Sequence, residues 1–178
     1  MPRVERIEDS RKLLARFNPS TQAVWCSKPA QCSEAEVPTL NEVGKQYGEQ
    51  VAAAWLVPQL YNLSEFCGCK DKLTDSVLQE TAQIIALHYR YMKLTELMLF
   101  FFQFKTGKYG RFYGSIDPMV IMLALRQYER ERGSLLERLE RQREDSVRQQ
   151  RREGAVTREE YERLLEKYGD EAVCRMGR

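Results

Sequence analysis

The stretch LTELMLFFFQFKTGKYGRFYGSIDPMVIMLALRQY, Leu94 to Tyr128, constrains this chain more than any other. Two long apolar runs flank a turn that carries three glycines, and a proline opens the second run. Neither run alternates apolar with polar side chains as a half-buried strand would. Both are too apolar to leave in water at about 25 cal/mol per Å². They therefore predict two buried helices joined by a tight connection. Thr95 is the expected cap of the first helix, Gly107 stops it, and Asp117-Pro118 starts the second with a capping acid and a proline at the first helical position. The unbroken apolar core of the first run, Leu97 to Phe102, is far shorter than the ~18–20 residues that span a membrane.

The remaining segments read the same way, and the expected fold class is all-α: a compact multi-helix domain with a projecting C-terminal helical hairpin. Thr39 and Glu42 have the spacing of a capping box. The segment after them is interrupted by Gly44, Gly48 and Pro58, which predicts two or three short helices. Leu73 to Met92 reads as one helix capped by Thr74, with Val77, Leu78, Ile84, Ile85 and Leu87 on its apolar face. MVIMLALRQY is apolar nearly all round and should lie buried. The expected core unites Ile84, Leu87, Leu97, Phe101, Ile121 and Leu125.

Three regions follow from these readings. Residues 1–37 hold a short amphipathic helix, with Val4, Ile7, Leu14 and Phe17 at helical spacing, and then an irregular linker, with three prolines between Asn18 and Pro38. Residues 38–132 form the helical core. Residues 133–178 form a charged hairpin with few apolar anchors before Tyr161, Leu164 and Leu165, which are the expected partner-binding residues. Within it, Gly154-Ala155-Val156-Thr157-Arg158-Glu159-Glu160-Tyr161 resembles small helical tail modules associated with self-association, and Thr157 is the expected cap of the last helix.

Catalytic patterns are missing. Gly107-Lys108 is followed by Tyr109, so the hydroxyl of a phosphate-binding loop is absent. His88 is the sole histidine, expected as a buried or half-buried structural residue beside Leu87 and Tyr89. Cys26, Cys32, Cys67 and Cys69 could in principle meet at zinc, but five residues separate the first pair and one the second. Structural zinc pairs favour two to four. The cysteines are expected to be reduced thiols, with no cofactor, no metal and no enzyme activity. An odd total of five cysteines and a charged N-terminus without an apolar centre indicate the cytoplasm.

The formal net charge is +2, but the residues from Phe101 to Arg152 carry 12 basic and 7 acidic side chains. Within that excess, Lys105, Lys108 and Arg111 recur every third residue, with Tyr109, Phe112 and Tyr113 between them. Cations attract phosphate and rings stack on unpaired bases. Lys105, Lys108, Tyr109, Arg111 and Tyr113 are thus the candidate nucleic-acid contacts, with single-stranded or distorted DNA as the matching ligand. In this reading Phe104 and Phe112 anchor the turn while its three cations face solvent.

The block from Leu94 to Arg132 resembles a motif of an uncharacterised protein family of phages and mobile elements. That motif joins a helix opened by Thr-Glu, here Thr95-Glu96, to Phe-Lys-x-Gly-x-Tyr-Gly at Phe104 to Gly110. Tyr-Gly-x-x-Asp follows at Tyr113 to Asp117, and the next helix ends in Tyr-x-x-x-Arg at Tyr128 to Arg132. The order of elements is similar to the helical domains of phage helicase loaders and replisome organisers. The resemblance implies an accessory protein of phage or mobile-element DNA replication that contacts DNA, a replicative helicase or another replication protein, without catalysis. The alternative is a helical protein–protein interaction adaptor that binds no nucleic acid. Buried rings and scattered cations in the turn favour the adaptor; exposed rings beside a continuous positive face favour nucleic acid.

Overall fold

The computed structural model describes residues 10–25, 29–67, 73–110, 117–153 and 158–168. The protein is all-α. Its helices are α1 (Ser10–Arg16), α2 (Gln22–Trp25), α3 (Pro29–Glu34), α4 (Leu40–Tyr47), α5 (Glu49–Phe66), α6 (Asp75–His88), α7 (Leu94–Lys105), α8 (Pro118–Glu153) and α9 (Arg158–Tyr168), with a 3-10 turn at Pro19–Thr21. The chain divides into two units, residues 1–136 and 137–178, rather than after Arg132.

The expected linker within residues 1–37 is part of the first unit. Leu13, Phe17 and Cys32 are buried in its core, and Phe17 stacks on Trp25 at 6.3 Å between ring centres. Backbone polar groups hold this segment where periodicity is lacking. The Phe17 carbonyl accepts from Trp55 Nε1 at 2.9 Å and from Gln59 Nε2 at 2.8 Å. Gln59 Oε1 accepts from buried Gln22 Nε2 at 2.6 Å. Val4 and Ile7 lie outside the described residues.

Thr39 caps α4 in a full capping box: its Oγ1 accepts the Glu42 N–H at 3.2 Å, and Glu42 Oε2 accepts the Thr39 N–H at 2.7 Å. The expected interruptions resolve into one. Gly48 adopts φ +103°, a region L side chains avoid, and separates α4 from α5. Gly44 and Pro58 lie inside helices. An isolated bridge between Thr39 and Lys93 joins the start of α4 to the start of α7, reinforced by Leu40 N to Met92 O at 3.0 Å and Leu94 N to Pro38 O at 3.1 Å.

Four of the six expected core residues, Leu97, Phe101, Ile121 and Leu125, are fully buried. Ile84 and Leu87 are exposed. The α6 stripe that meets α5 is Leu78, Thr81, Ala82 and Ile85, spaced 3, 1 and 3 residues apart, and Ile84 and Leu87 fall outside it. His88, also expected inside, is exposed. α6 ends there, short of Met92.

Thr95 does not cap α7. Lys93 occupies the cap position, and the Glu96 carboxylate accepts its N–H at 2.9 Å. Thr95 is instead buried and donates to the Cys32 carbonyl at 2.7 Å. Thr74 stands at the start of α6 but makes no side-chain cap there. Asp117 opens α8 as expected: Oδ1 accepts the Met119 N–H at 2.8 Å. α8 runs without a break through Gly133, which was expected to begin a separate tail, and every residue from Glu140 to Glu153 is exposed. With so little burial in residues 137–153, deletion after Leu136 should leave cooperative unfolding with a melting temperature close to that of the full chain. Loss of cooperativity in a calorimetric scan would make the second unit part of the fold.

Candidate functional site

α7 ends in a Schellman motif, in which the last carbonyls accept from N–H groups just past the helix. Gly107 N donates to Phe104 O at 3.0 Å and Lys108 N to Gln103 O at 3.2 Å. Gly107 and Gly110 have φ of +79° and +108°, which explains two of the glycines. The turn then folds back. Tyr109 lies partly buried, its ring 5.5 Å from Phe100 and 6.2 Å from Phe104, and its hydroxyl donates to Gln103 Oε1 at 2.8 Å. Burial, then the Glu131 charge, hold that hydroxyl well above the usual phenol range. Phe104 is buried, as an anchor should be.

The two described cations of the turn are already engaged. Lys105 is half-buried and does not face solvent as expected. Its Nζ donates to Gln22 Oε1 at 2.7 Å and to Asn62 Oδ1, and lies 5.7 Å from the centre of the Phe66 ring. Its last methylenes follow Phe104 into the body because the cradle of amide oxygens from α2 and α5 solvates the ammonium there. Burial pulls its pKa down. Lys108 is exposed and pairs with Glu131 Oε2 at 2.5 Å, with Gln103 Oε1 at 3.1 Å. Arg111 and Tyr113 lie outside the described residues, as does Phe112.

The described motif residues at the start of α7 and on α8 hold segments together. Glu96 is fully buried and binds three segments at once: Oε1 accepts from Arg132 Nε at 2.7 Å and Ser33 Oγ at 2.8 Å, and Oε2 from the Lys93 N–H. Lys93 Nζ donates to the Ser33 and Ala35 carbonyls at 2.6 and 2.7 Å. Arg132 also lies over the Tyr91 ring at 5.5 Å. Tyr128 is buried against Phe100 at 5.7 Å, and burial raises its pKa first, the Glu96 charge second. Thr-Glu and Tyr-x-x-x-Arg thus lock α7 to α8 and α3.

A concave surface that sequence reasoning missed lies between α4, α5 and α6. This groove encloses about 770 Å³, with Ala53, Val57, Ala86 and Leu87 among its apolar walls and Lys45 and Arg90 among its charged residues. Leu87 is 70% exposed. Gly44 and the run Ala52-Ala53-Ala54, which all line the groove, were the available signal, since small side chains on neighbouring helices leave space. Among the described residues no group of three or more His, Cys, Asp or Glu could hold a metal. Cys32 is a buried thiol that donates to the Trp25 carbonyl at 3.0 Å, Cys67 is half-buried, and Cys26 and Cys69 lie outside the described residues. In α9, Tyr161 is exposed and Leu165 half-buried; the Leu164 side chain lies outside the description. No described helix is long and apolar enough to cross a membrane.

These features define an all-α protein in which the described part of the turn, through Gly110, packs against α7 and pairs with α8. The chain belongs to a family of unknown function, DUF6633, whose model matches residues 72–168, more than half of the chain. The match takes in α6 to α9 and the turn, with the Glu96–Arg132 pair inside it. No curated protein and no solved structure matches the chain.

Proposed function

We propose that this protein is a cytoplasmic, non-enzymatic helical adaptor that binds another protein through the α4–α5–α6 groove. The observation that carries this reading is the state of the turn: Tyr109 packs inward, Lys105 is held by Gln22 and Asn62, and Lys108 is paired with Glu131. The described part of the turn offers no row of free cations beside exposed rings. The occupant assigned to the groove is an amphipathic helix of a partner protein. Its small apolar residues would meet Ala53 and Ala86, and its acidic residues would meet Lys45 and Arg90. The sequence resemblance to phage and mobile-element proteins supports a replicative helicase or another replication protein as that partner. The chain would then be a replication accessory that reaches DNA through its partner.

Direct DNA contact by Lys105, Lys108, Tyr109, Arg111 and Tyr113 is the second reading. It has one observation in its favour: the Lys108–Glu131 pair is exposed, and such pairs contribute at most about 1 kcal/mol, so phosphate can compete for Lys108. Fluorescence anisotropy with labelled single-stranded and duplex oligonucleotides at several salt concentrations decides between the two. The adaptor reading expects no salt-dependent binding. Binding with a slope of about 2–3 log units per log of salt, flattened by joint replacement of Lys105, Lys108 and Arg111 with alanine, would overturn it. In parallel, Leu87→Glu should release a partner that the wild-type chain retains, with the melting temperature unchanged.

A further inference from the structure

Among the described residues, Lys105 is held without a carboxylate. Its Nζ donates to Gln22 Oε1 at 2.7 Å and to Asn62 Oδ1, both amide oxygens, and lies 5.7 Å from the centre of the Phe66 ring. Two acceptors suit a neutral amine, which has two N–H bonds to give and keeps a lone pair; an ammonium has a third N–H to place. Burial pulls the Lys105 pKa down, and the charge of neighbouring Cys67 pulls it less strongly upward. Cys67 follows Phe66 directly, half-buried at the C-terminus of α5. Phe66 is 62% exposed, so this cluster lies at the surface. A thiol and a poorly solvated amine thus meet where a small molecule can reach them.

We infer that Cys67 and Lys105 form an acyl-accepting pair: the thiol takes an acyl group from a small thioester of the coenzyme A type and passes it to the Lys105 amine. In the first step the Cys67 thiolate attacks the thioester carbonyl. A new C–S bond forms, the old one breaks, and the donor leaves as its own thiolate. A cation beside a thiol favours the attacking thiolate, and Lys105 supplies that cation as its ammonium. Acylation then removes the Cys67 charge, the influence that held the Lys105 pKa up. Burial acts alone, and the ammonium gives a proton to water. In the second step the Nζ lone pair attacks the Cys67 thioester. The C–N bond forms, the C–S bond breaks, and the surplus nitrogen proton goes to the departing Cys67 thiolate. An amide at Lys105 and a restored thiol result. The relay outruns direct attack because sulfur is the better nucleophile and the transfer to nitrogen is intramolecular. The acylated nitrogen keeps one hydrogen, enough for only one of Gln22 and Asn62. Gln22 also donates to Gln59, which donates to the Phe17 carbonyl, so the modification acts on the contacts that tie residues 17–22 to α5. This site is separate from the groove, and the inference does not rest on the adaptor reading.

Incubation of the full-length chain with acetyl-coenzyme A at mildly alkaline pH, followed by peptide mass spectrometry, tests it. Lys105 should be acetylated at least about tenfold faster than exposed Lys45 and Lys108. Cys67→Ala and Cys67→Ser should each bring Lys105 down to the rate of those two lysines. Lys105→Arg keeps the cation but cannot accept the acyl group, so acetyl should accumulate on Cys67 as a thioester that hydroxylamine removes. Cys69→Ala should leave the Lys105 rate unchanged. Circular dichroism melts accompany every variant; if the Cys67 variants do not fold, the wild-type rates and the thioester in Lys105→Arg decide. Acetylation of Lys105 no faster than that of Lys108, a Lys105 rate unaltered by loss of the Cys67 thiol, or no thioester at Cys67 in Lys105→Arg would overturn the inference. So would a fast reaction lost in Cys69→Ala and retained in Cys67→Ala, which would move the relay to the other thiol.

Discussion

Replacing Glu96 by alanine should lower the free energy of unfolding by about 3–5 kcal/mol, the range for removing one partner of a buried ion pair. Glu96 is fully buried, and Arg132 beside it is about one-fifth exposed, so water cannot replace what is lost. The substitution leaves the Arg132 guanidinium without its counter-charge, the Ser33 hydroxyl without its acceptor and the Lys93 N–H uncapped. At roughly 2–4 °C per kcal/mol for a chain of this size, the melting temperature should fall by about 10 °C. Glu96→Gln keeps the shape and one acceptor oxygen, which can still serve two of the three donors, but removes the charge. It also turns the other oxygen into an amide donor, so it should cost less than alanine without restoring the site. Denaturant titrations analysed at constant slope give the comparison. A loss under about 1 kcal/mol would mean that this pair behaves as a surface one and that α3 and α8 are held by packing alone.

Phe100→Ala should cost about 3–5 kcal/mol, as expected when a large aromatic side chain is removed from a close-packed interior. Phe100 is fully buried and lies at the centre of a ring cluster. Phe101 is at 5.2 Å edge-on, Tyr109 at 5.5 Å, Tyr128 at 5.7 Å and Phe104 at 5.9 Å. Aromatic pairs in such geometries add about 0.5–1.5 kcal/mol beyond the area they bury. The same ring touches α7, the turn and α8, so the cavity would open where three segments meet and none can move in freely to fill it. Phe100→Leu retains most of the volume and should cost less than half as much. Thermal melts of both variants test this. Equal losses for leucine and alanine would show that ring geometry, rather than volume, carries the site.

Helix class and several boundaries were legible because they depend on short-range chemistry. Thr39 with Glu42, Gly48 between α4 and α5, Gly107 after α7 and Asp117-Pro118 before α8 each act within one turn of the chain. Which side of a helix turns inward was less legible. On α6, Leu78 with Ile85 and Ile84 with Leu87 supply two apolar stripes, and only the partner α5 selects the first. α8 shows the same limit at Met119 and Leu123, which are exposed in a run that reads as buried nearly all round. Residues 18–34 defeated periodicity for a different reason. They are held by carbonyls of Phe17, Cys32 and Ser33, and backbone acceptors carry no letter in a sequence. Lys105 was misread likewise: its amide partners Gln22 and Asn62 are far away along the chain, and a lysine in a cationic series reads as solvent-facing. Glu96 and Arg132 were visible as members of a motif, but not as each other's partner.

The Phe17 carbonyl that accepts from both Trp55 and Gln59 makes the indole hydrogen of Trp55 a clock for one event. That hydrogen is enclosed in a fully buried ring, and solvent reaches it only when residues 10–22 lift away from α5. Its deuterium uptake, followed by NMR on a protein with just two tryptophans, therefore times the detachment of the N-terminal segment. Half-buried Trp25 lies on the departing strand of chain and supplies the second signal. Two indole resonances that exchange at the rate of global unfolding would mean that the first two dozen residues leave only when everything else does. Faster exchange at Trp55 would mean that the body routinely survives without them.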